Sequence, residues 1–242
     1  YITKDVVRAL RARVALEKED YQGAISAATS LIGSGTYPLM TDAAAYADMW
    51  LHDNGTEAIW QFAMIKGQET GPNTLGSAFS GIIDVLPRPS YIPTTTVLNL
   101  YDQENDIRYA AYFTYDSIDA QSVSDFMLTY CKKWPGNPEL YDGKSNNVNK
   151  TKAFRISEMY LIAAEAYAMS GDETNASKIL NELKAARIKG WSEKTYSGNA
   201  LMKEIQNEYV RELFAEDPHI FNMKRWKVGL NRSTSEAQVV SY

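Results

Sequence analysis

The chain has 242 residues, 25 basic and 30 acidic, with 45% apolar and 12% aromatic side chains, enough for one large domain or two small ones around a sizeable core. A net charge of −5 lacks the basic footprint that nucleic acid needs, and no run of about 18 apolar residues is present to span a bilayer. The single cysteine, Cys131, excludes an intrachain disulfide and cysteine-rich zinc modules. In chain order, Thr3 is a cap for a first helix over 6–16, with Val6, Ala9, Leu10, Val14 and Leu16 on one face. A second helix begins near Tyr21, carries Ala24, Ala27, Ala28, Leu31 and Ile32, and stops at Gly33-Ser34-Gly35. Residues 36–150 are dominated by turn formers, with a short strand expected over 57–63 and a helix over 95–101. A long irregular segment carried on a rigid helical frame is commonly functional, so a ligand region is expected there. Helical periodicity returns over 154–169 and, after the Gly171-Asp172 turn, continues through Ala176, Ile179, Leu180 and Leu183. A third helical region, 199–216, precedes Pro218 and a short segment ending at Gly229.

Shifting the first hairpin by 152 positions places Ala12 on Ala164, Asp20 on Asp172, Ala24 on Ala176 and Leu31 on Leu183. Helix, short turn, helix, with small residues at the crossing, is the logic of a tetratricopeptide-type repeat. The expected fold is mainly α: a tetratricopeptide-like α-α superhelix with a loop-rich middle and minor β. A single domain over 1–242 is expected, with a hairpin at 1–35, a ligand region at 36–150 and helical repeats at 151–230.

The charged residues on helical faces read as structural. Arg13 lies near the centre of the first helix's apolar face and Glu165 at the equivalent place on the third; the two hairpins are expected to pack around paired charges there, with Arg155 and Glu158 in the same network. Charged groups are seldom buried unless paired. Glu208, Glu212 and Glu216 recur every four residues, with Arg211, Lys224 and Arg225 available to counter them. No Glu-x-x-His partner accompanies them, and His52 and His219 are isolated, so no metal or cofactor is expected. The sequence has no Gly-x-Ser-x-Gly elbow and no phosphate loop, and no catalytic residue is proposed.

Sugar binding asks for exposed aromatics over pyranose faces, with polar neighbours for the hydroxyls. Trp50 and Trp60 read as core. Phe79, Tyr91, Tyr115, Trp134 and Tyr141 fall in irregular segments, with Asn73, Arg88, Asn137 and Asn146 nearby in sequence.

Residues 154–167, Phe-Arg-Ile-Ser-Glu-Met-Tyr-Leu-Ile-Ala-Ala-Glu-Ala-Tyr, followed by Gly171-Asp172 and Ala176…Leu180-Asn181…Arg187, strongly resemble the C-terminal half of the SusD/RagB family. So do Glu208…Arg211-Glu212-Leu213…Glu216 and Lys224-Arg225-Trp226. Leu10-Arg-Ala-Arg-Val-Ala-Leu, Gly35-Thr-Tyr-Pro-Leu39 and Gln103-Glu-Asn-Asp-Ile-Arg108 resemble earlier family segments. The resemblance implies a non-catalytic protein that binds glycans or oligosaccharides and works with a SusC-type TonB-dependent transporter. It implies the extracellular face of the outer membrane of Bacteroidetes, held there through an N-terminal lipid anchor. It also favours the stretch 73–91 for the ligand, and so Asn73, Phe79, Arg88 and Tyr91, with Trp134 and Tyr141 from the later loops. Members are commonly about twice as long, so this chain resembles a C-terminal portion, with any targeting peptide and anchor outside it. Glu208-Tyr209 and Glu216-Asp217-Pro218-His219 depart from the family's usual terminal motifs. The alternative reading is a helical-repeat scaffold whose groove binds a protein or peptide.

Overall fold

The computed structural model describes residues 1–67, 74–79, 82–83, 86–87, 89–118, 126–141, 143, 147–216, 219–229 and 236. In chain order it forms α1 (Lys4–Glu17), α2 (Tyr21–Gly33), α3 (Ala43–Leu51), β1 (Ala58–Gln61), α4 (Leu75–Phe79), β2 (Ile82–Ile83), β3 (Leu86–Pro87), α5 (Thr95–Leu98) and α6 (Ile107–Tyr112). Then follow β4 (Phe113–Ile118), β5 (Phe126–Cys131), β6 (Lys152–Arg155), α7 (Ile156–Met169), α8 (Glu173–Arg187), α9 (Gly198–Glu212) and α10 (His219–Arg225). The fold is mainly helical, as expected, and the chain divides into two compact units.

The first unit comprises residues 1–41, 56–62 and 152–228, and in it helix pairs stack in tetratricopeptide fashion. The bounds of α1, shifted by 152 positions, are those of α7, and α8 starts where shifted α2 starts. Both turns close alike. The Asp20 amide donates to the Ala15 carbonyl at 2.9 Å and the Glu19 amide to that of Leu16 at 3.0 Å. Asp172 donates to Tyr167 at 2.9 Å and Gly171 to Ala168 at 3.1 Å. These pairs satisfy the last carbonyls of each first helix in a Schellman closure. Asp20 and Asp172 then cap the second helices, accepting from the amides of Gly23 and Asn175.

Helix α7 is central to this unit, which is why it is apolar nearly all round. Met159, Ile162, Ala163 and Ala166 join the core made with α1 and α2; Leu161 and Ala164 join the one made with α8 and α9. Ala9, Ala12, Ala24 and Ala28 are fully buried, and their small side chains let α1 and α2 approach closely. The periodicity that begins at Phe154 is not all helix. Lys152–Arg155 is strand β6, antiparallel to β1 with Trp60 opposite Phe154, and Trp60 is half-buried against the core rather than enclosed. The third helical region ends at Glu212 instead of Glu216, and Ala215 beyond it takes a left-handed conformation at φ 60°.

The second unit comprises residues 42–55, 63–151 and 229–242. Its α3, its α6 and the hairpin of β4 with β5 were not anticipated, and the helix expected over 95–101 stops at Leu98. Tyr46 and Trp50 of α3 pack against Tyr112 of α6, and Trp50 stands edge-on to Trp134 with ring centroids 5.1 Å apart. The buried Lys133 ammonium lies 4.2 Å from the Trp50 ring centroid and 3.9 Å from that of Tyr112, a desolvated cation–π arrangement. Asparagines fix the turn-rich chain beside this cluster. Asn149 donates to the Trp50 carbonyl and accepts from the Gly136 amide, and Asn137 donates to the His52 carbonyl and to Asp53. The Asp-x-Arg segment closes on itself as a fully buried ion pair, with Arg108 donating to both Asp106 oxygens at 2.9 and 2.7 Å.

Candidate functional site

Helix α4 lies in the second unit, and its position is set by backbone contact. Thr74 Oγ1 accepts from the Ser77 amide at 3.1 Å, and the Ser90 amide donates to the Ala78 carbonyl at 3.0 Å, which ties the following segment to the helix. Gly76 is buried where a side chain has no room. A Cβ there would lie 2.6 Å from the Asn147 carbonyl oxygen and 2.8 Å from that of Trp134. Helix α4 therefore rests directly on the loop backbone, and a glycine in so short a helix was the available signal for that close approach.

This seating brings together two of the aromatics singled out from sequence. Phe79 and Tyr91 stack obliquely, with centroids 5.6 Å apart and planes at 41°. Phe79 is half-buried and Tyr91 is 62% exposed. The pair offers exposed apolar ring surface together with a phenolic hydroxyl, which is the chemistry of a pyranose platform. Asn73 and Arg88 lie outside the described residues.

Trp134 does not belong to this face. It is 1% exposed and packs on Trp50; burial of its indole in the aromatic core overrides the turn-rich sequence around it, and what it gives α4 is a carbonyl under Gly76. Tyr141 is 48% exposed after a 3₁₀ turn, Pro138–Leu140, capped by Asn137. Among the described residues no ring contact joins it to Phe79 and Tyr91. Tyr115, 66% exposed on β4 opposite Thr129, is a further separate aromatic surface.

The charged residues of the first unit form built networks. Arg155 donates to Glu57 and Glu212 at 2.9 Å and to Glu216 at 2.6 and 2.8 Å. Arg187 donates to Glu212, Glu57 and the Met40 carbonyl. Arg155, Arg187, Glu57 and Glu212 are at most 2% exposed, so each charge is matched inside the core. Arg13 and Glu165 are both paired, each with a partner of its own. Arg13 grips Glu158 at 2.6 and 2.8 Å, whereas Glu165 accepts from Arg225 at 2.8 and 2.9 Å and from the Trp226 indole at 2.8 Å. The reason is that α10 brings its own guanidinium to Glu165. The three carboxylates of the α9 region also separate: Glu208 pairs with Arg211, while Glu212 and Glu216 reach the arginines of other elements. Arg187 and Glu57 are the network members whose roles as partners were not foreseen.

Among the described residues no group of three or more His, Cys, Asp or Glu side chains is placed to hold a metal ion. No helix among them is long and apolar enough to cross a membrane.

Comparison with known proteins places this architecture. No curated protein sequence matches. Among solved structures, a SusD superfamily protein from Bacteroides thetaiotaomicron is similar over 99% of this chain and 53% of its own, with 24% identity and a TM-score of 0.82. A SusD-like carbohydrate-binding protein from Bacteroides vulgatus shows 22% identity over 94% of this chain and 46% of its own, TM-score 0.71. Surface glycan-binding protein A from Bacteroides thetaiotaomicron, in complex with laminarihexaose, shows 18% identity over 93% of this chain and 55% of its own, TM-score 0.69. The chain thus spans about half the length of the solved relatives it matches. Residues 101–239, from the buried Asp-x-Arg pair through the helices that carry the arginine–glutamate network, match the SusD family model, and the chain belongs to that family.

Proposed function

We propose that this chain is a non-catalytic glycan-binding protein, which captures oligosaccharide at the extracellular face of the outer membrane and passes it to a SusC-type TonB-dependent transporter. The observation that carries the binding claim is the Phe79–Tyr91 pair, with Tyr91 largely exposed and Phe79 anchored at the end of a helix seated on backbone. Membership of the SusD family supports it, as does the laminarihexaose complex of a structurally similar protein. An exposed tyrosine beside a second ring covers the apolar face of a sugar, while its hydroxyl pairs with the sugar's own. The buried carboxylates of the first unit are committed to arginines and offer no general acid.

Two aromatic contacts, each worth on the order of 1 kcal/mol, barely offset the ordering cost of association. Binding by this chain is therefore weak, about millimolar, and a fast off-rate suits a protein that hands its cargo on. A glycan array followed by a reducing-end assay tests the proposal. Binding without release of reducing ends is the expected result; new reducing ends would make it an enzyme, and an array with no bound glycan would remove the binding claim.

A further inference from the structure

Asn137, one of the polar residues that the sequence sets among the candidate sugar contacts, is 3% exposed and committed to protein partners. Its side-chain nitrogen donates to the His52 carbonyl at 3.1 Å and to Asp53 Oδ2 at 3.0 Å. The same Asp53 oxygen accepts from the Lys150 amide at 3.0 Å. Asn149 donates to the Trp50 carbonyl at 2.8 Å and accepts from the Gly136 amide at 2.7 Å. The end of α3 and the turn after it thus hold two segments of chain side by side, 134–137 and 147–150. The Asn137 amide closes one on the other by donating to the Val148 carbonyl at 2.8 Å.

These two segments are the ones that seat α4. Each supplies one of the carbonyls against Gly76, Trp134 from the first and Asn147 from the second. The separation of the segments therefore fixes how closely α4 settles, and with it the Phe79 ring at the helix end. The turn that sets this separation is itself held. Asp53 takes a left-handed conformation at φ 57°, which aspartate tolerates better than most side chains. Asp48 accepts from Asn54 at 2.9 Å and pairs with His52, and Gly55 leaves no room for a Cβ against Met49. Asp53 is buried, so its two hydrogen bonds form in a medium where they are electrostatically stronger than in water.

From this chain of contacts we propose that Asp53 is a positioning residue of the glycan platform. Its carboxylate, through Asn137 and the Lys150 amide, sets the separation of the two segments, and that separation places Phe79 against Tyr91. The proposal rests on the reading of those two rings as the platform. Asp53 acts through backbone and touches no sugar. Its contribution is preorganisation: a ring already in place costs nothing to order when glycan binds, whereas a loose one does.

The test reads the ring pair first, on the whole chain without glycan. Two NMR signals report the seat of α4: a nuclear Overhauser effect between the Phe79 and Tyr91 rings, and slow exchange of the Ser90 amide, which donates to the Ala78 carbonyl. Asp53→Gly keeps the left-handed turn and removes the acceptor. It is expected to abolish the ring contact and to speed Ser90 exchange by at least about tenfold. Asn137→Ala removes the donor and is expected to do the same, and it carries the test if Asp53→Gly does not fold. Asp53→Asn keeps an oxygen able to accept both bonds and is expected to retain both signals. Gly171→Ala, a destabilising change in the other unit, is expected to move neither. On a glycan array, spots bound by the wild type and lost by Tyr91→Ala are expected to be lost by Asp53→Gly and kept by Asp53→Asn. An intact ring contact with slow Ser90 exchange in Asp53→Gly or Asn137→Ala would overturn the proposal. So would loss of both signals in Asp53→Asn, or the same loss in Gly171→Ala. An array on which Tyr91→Ala binds like the wild type would refute the platform instead, and the ring contact would still decide whether Asp53 positions Phe79.

Discussion

Glu19 sits in the left-handed region at φ 60°, and 152 positions later Gly171 takes the same place at φ 85°. A left-handed conformation costs a side-chain-bearing residue about 1–2 kcal/mol, so the first turn carries strain that the second avoids. Glu19→Gly is expected to stabilise the protein by about 0.5–1 kcal/mol, because part of the relief is lost to the freer unfolded chain. Gly171→Ala is expected to destabilise it by at least as much, and urea denaturation of both variants checks the pair. Cys131 offers a different residue-scale test. Burial pushes its thiol up to about 11, so it stays protonated in the folded protein through neutral pH. The thiolate is the reactive form, and Ellman's reagent at pH 8 is expected to leave Cys131 unmodified until denaturant is added. Because the folded value lies above the unfolded one, stability is unaffected by this group below pH 9 and declines as pH rises between 9 and 11.

At the scale of elements, Glu212 of α9 joins Arg155, at the junction of β6 and α7, to Arg187 at the end of α8. Removing it leaves two buried guanidiniums short of a partner, at a cost of about 3–5 kcal/mol. Glu212→Ala is expected to lose that much in urea denaturation, and a loss under about 1 kcal/mol would mean the network is peripheral to stability. Helix α4 gives a second test. Gly76→Ala drives a methyl into two carbonyl oxygens that belong to backbone and cannot rotate away, so α4 shifts and Phe79 with it. A cost of about 1–3 kcal/mol, together with lost glycan affinity, is expected.

The helix pairs were legible in the sequence because Ala9, Ala12, Ala24 and Ala28 mark a close crossing and Asp20 and Asp172 mark the caps. Strand β6 was not, because Lys152–Arg155 runs straight into α7 and its apolar residues continue the helical count. The hairpin of β4 and β5 was hidden for a related reason: Phe113–Ile118 buries its two ends and leaves Tyr115 and Asp116 exposed, so no clean alternation appears. Charged residues could be recognised as paired, yet their partners could not be named, since Arg187 reaches a carbonyl 147 residues away. At the candidate site, exposure decided what composition did not. Tyr91 and Trp134 are both aromatics among turn formers, and only the first faces outward.

At the scale of the whole molecule, the two units are built differently. The first is a stack of helix pairs stiffened by buried arginine–glutamate contacts. The second holds Phe79 on a backbone-seated helix, with Tyr91 of the following segment stacked against it. Phe79 and Tyr91 are proposed as the glycan platform, and titration calorimetry decides whether they are. The array-identified oligosaccharide would be measured against the wild type, Phe79→Ala and Tyr91→Ala, with melting temperature as the control for folding. A dissociation constant of about 1 mM is expected for the wild type and at least about fivefold weaker binding by each variant, with Tyr91→Ala unchanged in stability. Undiminished affinity in both variants, or low-micromolar binding that survives them, would contradict it and move the site away from α4.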